Sequence, residues 1–236
     1  MTLAAVGFDL DFTLWDQNAF ARSFFDEVAG ELGRRLGQGP RQVAEALHGS
    51  LERLTLAHPA LFDHALHLLG AWEPRLVREL VDRYHRHRPA ARPYPCAEAA
   101  LARLRSAGCR LFLVTDGPVG AQRHKLQAMD LAAWFEVKIF TGELPEQHRK
   151  PSPVPFQLAC QRLGVTPEHC AYVGDDPAAD FHGPRCLGMV TIGVATGPHM
   201  VEQPGPGWEP DLWIRSLEDL DIPLLEAEAR VTEGRP

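Results

Sequence analysis

Leu3-Ala4-Ala5-Val6-Gly7-Phe8, running straight into Asp9-Leu10-Asp11-Phe12-Thr13-Leu14, is the stretch that decides the fold of this 236-residue chain. The apolar run shows no polar alternation, as expected of a strand buried on both faces of a parallel sheet. A helical pattern comes next. Phe20, Phe24, Val28 and Leu32 recur every four residues, and Val43, Ala46, Leu47, Leu51 and Leu54 mark a second helix. A third is expected over 60–69, ending at Gly70, and a fourth after Pro74, a residue suited to a helix's first turn. Past Arg92-Pro93-Tyr94-Pro95 the pattern changes. A helix over 97–107 stops at Gly108 and leads into a strand over 110–115. Further strands are expected at 137–141, 171–174 and 189–194, separated by helices near 119–129, 154–163 and 178–187. Gly164 and Gly188 would close two of those helices. The Pro- and Gly-rich stretch 197–210 reads as a surface loop, and Asp211-Leu-Trp-Ile as a last edge strand. The alternation predicts an α/β fold: a mostly parallel sheet with helices on both faces, formed by 1–15 and 93–236, interrupted by an all-helical domain at 16–92.

Composition excludes several function classes. With 45% apolar residues the chain can bury a substantial core, which rules out a chiefly disordered protein. Its 24 basic and 31 acidic residues leave a net charge of −7, which argues against a nucleic-acid partner. No run approaches 18 apolar residues, and the first residues lack the basic start of a signal peptide, so no membrane association and a cytoplasmic location are expected. The five cysteines are scattered, with no C-x-x-C pair, and read as reduced thiols rather than a zinc or redox site.

In an open α/β sheet, sites lie beyond the carboxyl ends of the strands. Those ends carry Asp9 and Asp11, Thr115-Asp116-Gly117, and Gly174-Asp175-Asp176, with Asp180 five residues beyond Asp175; Lys150-Pro151-Ser152-Pro153 lies between a strand and its helix. Any one acid after a strand is an ordinary turn former. Together they place carboxylates, a hydroxyl and a lysine on one edge. Residues two apart in extended chain point the same way, so Asp9 and Asp11 should both face the crevice. Two such carboxylates ionise comfortably only beside a cation, and oxygen donors without histidine or cysteine suit Mg²⁺. A carboxylate there can attack phosphorus, while Thr115 and Lys150 donate to the non-bridging oxygens. The Asp11 side chain can protonate the leaving oxygen and later take a proton from water.

Taken together, Asp9-x-Asp11-x-Thr13, Thr115-Asp116-Gly117, Lys150-Pro-x-Pro153 and Gly174-Asp-Asp-x-x-x-Asp180 resemble the four motifs of the haloacid dehalogenase-like hydrolases. The resemblance implies a Rossmann-like core and a helical cap inserted after the first motif. It also implies a Mg²⁺-dependent phosphatase that works on a small phosphorylated substrate through an aspartyl phosphate. Asp9 would be the nucleophile and Asp11 the general acid/base. The metal would be held by the Asp9 carboxylate, the Asp11 carbonyl oxygen and Asp175, and the phosphoryl group by Thr115, Asp116 and Lys150. Asp180 would orient Lys150 or a metal-bound water, with Asp176 a further candidate for that role. Asp116 departs from the family's usual Asn. The expectation is that this position contributes its backbone N–H, because a side chain facing the phosphate would add an unfavourable negative charge.

Two other chemistries of the family fit less well. Metal-free dehalogenases lack the second aspartate of the first motif, and the Schiff-base enzymes need a lysine in the cap, whereas residues 15–93 contain none. A β-phosphoglucomutase-like phosphomutase shares every core residue, and a non-catalytic phosphoryl-binding regulator would be a reading of a different class. Outside the motifs, six histidines between His48 and His87 and the run 83–88 read as a solvated, partly packed face, and Trp15 as a hinge or entrance residue. No dinucleotide or Walker motif occurs. The sequence does not specify an oligomeric state.

Overall fold

The computed structural model describes all residues except 1–2, 55, 57, 88–91, 199–204, 206 and 234–236, and describes 229–233 by their backbone alone. Among the described residues, six strands form one parallel sheet in the order β3-β2-β1-β4-β5-β6: β1 Ala5–Phe8, β2 Arg110–Thr115, β3 Val137–Phe140, β4 Cys170–Gly174, β5 Val190–Val194 and β6 Leu212–Ile214. Side chains alternate across it. Ala5, Phe112, Val114, Ile139 and Tyr172 join one buried cluster with Phe156, Ala159, Cys160 and Leu163 of α7 (Val154–Leu163). On this sheet α5 (Ala97–Ser106) packs against β2 and α9 (Ile222–Glu233) against β5. The strand order reverses between β1 and β4, so the crevice beyond their carboxyl ends is the natural ligand position.

The chain divides into two compact units, Met1–Asp16 with Arg92–Pro236, and Gln17–Ala91. The second is helical among its described residues: α1 Gln17–Leu36, α2 Pro40–Leu54, α3 Leu61–Leu68 and α4 Pro74–Arg86. It has its own core, in which Phe24, Phe25, Val28, Leu47, Leu66 and Leu80 are buried. Its periodic apolar residues leave a polar outer face on α1, α2 and α4, whereas α3 exposes Leu68.

Two elements differ from expectation. The helix expected over 178–187 shrinks to α8, His182–Cys186. Asp176 accepts from the N–H of Ala178 at 2.8 Å, and Asp180 turns its carboxylate back onto the N–H groups of Asp175 and Asp176. Such side-chain bonds hold the chain in a turn where a helix would otherwise start. Helix α9 is an addition to the expected elements, although Asp221 caps it through the N–H of Leu224 (2.9 Å) and Pro223 sits in its first turn. Much of the loop expected at 197–210 lies outside the described residues.

Candidate active site

Asp9 leaves β1 with its N–H still bonded to the Val173 carbonyl (2.9 Å), so the sheet itself fixes its position. Its Oδ1 accepts from Lys150 Nζ at 2.7 Å, and the same ammonium donates to Asp180 Oδ1 at 2.7 Å. Asp180 Oδ2 in turn accepts from the N–H groups of Asp175 (3.1 Å) and Asp176 (3.0 Å). These contacts tie the ends of β1 and β4 and the Lys150 loop into one network. Burial lowers the Lys150 ammonium pKa, but the Asp180 and Asp9 carboxylates outweigh that and hold it well above its usual value.

Beyond Asp11 the chain reverses. Phe12 sits in the left-handed region (φ 61°), uncommon for an aromatic residue. The turn brings the Thr13 hydroxyl to 3.3 Å from Asp175 Oδ1, while Thr196 donates its hydroxyl to the Phe12 carbonyl. Gly197 lies so close to Asp175 that a Cβ there would overlap the carboxylate. Asp175 Oδ2 is buried and has no hydrogen-bond partner among the described residues. Burial pushes the Asp175 carboxyl up to about 9 and the Asp9 carboxyl up to about 8, with nearby carboxylates adding to both and Lys150 opposing.

Asp9, Asp175 and Asp180 each present an oxygen within 4.8 Å of the others, a buried group able to hold a metal ion. The donor chemistry fits a hard divalent cation, and the orphaned Asp175 Oδ2 supplies an acceptor that needs one. Asp180 is the least available of the three, because its two oxygens already receive Lys150 and two backbone N–H groups.

The remaining expected residues separate into two groups. Thr115 is buried at the end of β2, and its Oγ1 accepts from Gln122 Nε2 at 2.7 Å. Asp11 does not point into the Asp9–Asp175 cluster. Its carboxylate is held by Trp15 Nε1 (2.7 Å), Lys125 Nζ (2.8 and 2.7 Å) and Gln122 Nε2 (2.9 Å). Asp116 accepts from the Thr141 hydroxyl, so its side chain is engaged at the β3 end. Asp176 forms the turn that precedes α8.

Sequence reasoning missed Gln122 and Lys125 as site residues. The available signal was two polar residues three apart on α6 (Val119–Ala128), directly after the strand carrying Thr115; residues at that spacing share a helix face, and here that face is buried. Trp15 is buried as an Asp11 partner rather than standing at an entrance. In the helical unit His64 Nδ1 meets Ser50 Oγ (2.8 Å) while His67 stacks on Trp72 at 5.2 Å, so the two do not form a metal pair. Arg83 pairs with Glu31 at 3.0 Å, and Arg86, His87 and Glu27 line an open hollow of about 390 Å³ beside it. Arg88 lies outside the described residues.

Comparison with known proteins gives a consistent result. The family model for haloacid dehalogenase-like hydrolases matches residues 3–188. A glyceraldehyde 3-phosphate phosphatase of Methanopyrus kandleri is 32% identical over 207 residues, 86% of this chain and 88% of that protein. A phosphoserine phosphatase of Thermus thermophilus is 36% identical over 160 residues, 68% of this chain and 62% of that protein. Among solved structures, a phosphatase of Thermococcus onnurineus superposes with a TM-score of 0.62 at 26% identity, covering 92% of this chain and 95% of that one.

Proposed function

The chain belongs to the haloacid dehalogenase-like hydrolases, and from that premise we propose that it is a Mg²⁺-dependent phosphatase of a small phosphorylated metabolite, acting through an aspartyl phosphate on Asp9. One observation carries the reading: buried Asp9, Asp175 and Lys150 converge, and Asp175 Oδ2 is left without a hydrogen-bond partner among the described residues. The Asp9 and Asp175 carboxylates, with the Asp11 carbonyl oxygen, would hold the metal, which when bound offsets charge on the phosphoryl group.

Asp9 Oδ1 accepts from Lys150 and keeps a second lone pair for the metal, which leaves Oδ2 to attack phosphorus. Lys150 and the Thr115 hydroxyl bind the phosphoryl oxygens where charge accumulates. Asp11 gives a proton to the leaving oxygen, then takes one from the water that cleaves the acyl phosphate. Phosphate departs and Asp9 is regenerated. Relatives are named for glyceraldehyde 3-phosphate, phosphoserine and phosphoglycolate, all compact phosphate monoesters, which supports a substrate of that size. In this reading residues 16–92 form the cap that recognises the leaving group. Free cysteines and the absence, among the described residues, of a helix long and apolar enough to cross a membrane accord with work in the cytoplasm.

The test is hydrolysis of p-nitrophenyl phosphate. Activity should vanish with EDTA, return with Mg²⁺, and be lost in Asp9→Asn with the fold intact by circular dichroism. Turnover that survives chelation, or an Asp9→Asn variant that keeps more than a few per cent of wild-type rate once deamidation is excluded by mass, would overturn it.

A further inference from the structure

Helix α6 carries two buried polar side chains on one face, Gln122 and Lys125, and both reach the crevice. Asp11 Oδ1 accepts from Trp15 Nε1 and Lys125 Nζ, and Oδ2 accepts from Lys125 Nζ and Gln122 Nε2. An ionised carboxylate has about four acceptor positions, so this set holds the side chain in one orientation. The Lys125 ammonium also lies 5.4 Å from the Trp15 ring centroid, which fixes the lysine in turn. Gln122 does more than hold Asp11. Its amide nitrogen has two N–H groups, and the second goes to Thr115 Oγ1 at 2.7 Å. A hydroxyl that accepts from an amide keeps its own proton for another acceptor.

Stability alone does not explain such an arrangement. A buried lysine–carboxylate pair is often no better for folding than a well-packed apolar pair of the same volume. Its effect is on direction: one side chain, Gln122, sets the orientation of both the hydroxyl beside the phosphoryl position and the acid/base carboxylate. Resting on the phosphatase reading above, we propose that Gln122 and Lys125 are positioning residues. Gln122 aims the Thr115 proton at the phosphoryl group, and together with Lys125 and Trp15 it fixes the Asp11 carboxylate, one oxygen of which exchanges an N–H donor for the proton that then passes to the leaving oxygen.

The test compares two substrates that differ in their need for that proton. p-Nitrophenolate leaves unprotonated, whereas the alkoxide of phosphoglycolate does not. Lys125→Met and Gln122→Met keep bulk and remove the donors. With enzyme in excess over substrate, Lys125→Met should slow phosphoglycolate cleavage by about 10–100-fold. Release of p-nitrophenol should fall much less, and KM should change little. Gln122→Met should show the same split and, in addition, bind inorganic phosphate about fivefold more weakly, the loss of one well-aimed hydrogen bond. Lys125→Arg, which keeps a donor cation, should recover part of the split. Only folded molecules turn over, so the ratio of the two rates holds even if a variant is partly unfolded. Equal losses on both substrates, or no loss on either, would overturn the proposal. If Asp11→Asn shows the split and the α6 variants do not, this proposal alone fails; if Asp9→Asn remains active, the phosphatase reading itself fails.

Discussion

At the scale of single residues, Asp9 and Asp175 set how the protein responds to pH. In an unfolded chain a carboxyl titrates near pH 3.9. Folding raises Asp9 to about 8 and Asp175 to about 9, in both cases chiefly through burial. A carboxyl raised in this way favours the folded state fully below its unfolded value, and that contribution is lost as pH rises through the folded one. The metal-free protein should therefore lose stability between about pH 4 and about pH 9. Lys150 is held above its ordinary range and keeps its charge across that window. A divalent cation binds the deprotonated carboxylates and competes with their protons, so its stabilisation should grow over the same range. Melting curves with and without Mg²⁺ should show a difference in Tm that widens from about pH 6 to about pH 8, at about 2–4 °C per kcal/mol for a chain of this size. A Mg²⁺ shift that is flat with pH would mean that Asp9 and Asp175 are not protonated in the metal-free protein.

At the scale of elements, the strands were the most legible part of the chain. The β2 strand appears at the expected residues, 110–115, and the other strands lie within two residues of expectation, because strands buried on both faces read as unbroken apolar runs. The motif residues at strand ends were legible for the same topological reason. Three features were not. The short α8 was masked by apolar spacing that side-chain turn bonds override. Helix α9 was masked because its Leu-Leu-Glu-Ala-Glu pattern comes after a stretch that reads only as loop and edge strand. The α6 residues that grip Asp11 were masked because pairing across more than 100 residues leaves no local pattern, and Lys125 looks like any other helix lysine. The junction of β4 with its turn is tight enough to test. A Cβ on Gly174 would overlap the Asp180 carboxylate, which holds Lys150 and the Asp175 N–H. Gly174→Ala should cost about 1–3 kcal/mol in urea unfolding, as overpacking does. It should also raise the Mg²⁺ concentration needed for half-maximal activity, because Asp175 moves with its neighbour. An unchanged urea midpoint with unchanged Mg²⁺ dependence would show that the turn yields without cost.

At the scale of the whole molecule, each of the two units buries apolar residues of its own, and the two are stabilised by different kinds of contact. The helical unit is interrupted nowhere in sequence, and α1 packs on α2 and α2 on α3, so its contacts are local. The sheet unit must pair β1 with β2, Ala5 opposite Arg110, across the whole of that insertion. Loop closure over such a distance costs entropy that a preformed helical unit between the two strands reduces. Leu47 is fully buried in the helical core, among Phe24, Phe25 and Leu66, and has no part in the sheet. Leu47→Ala should remove about 2–5 kcal/mol from that core. Since cooperative units open with their own free energies, hydrogen exchange read by mass spectrometry should show peptides from 17–54 and 74–86 losing protection, while those from β1, β2 and β4 keep theirs. Trp72 is the one tryptophan between residues 17 and 91, so its fluorescence should report an early transition that the other four do not share. Equal loss of protection in both sets of peptides would mean that the two units unfold as a single one, and that a defect in the helical core reaches Asp9 and Asp175 as surely as one in the sheet.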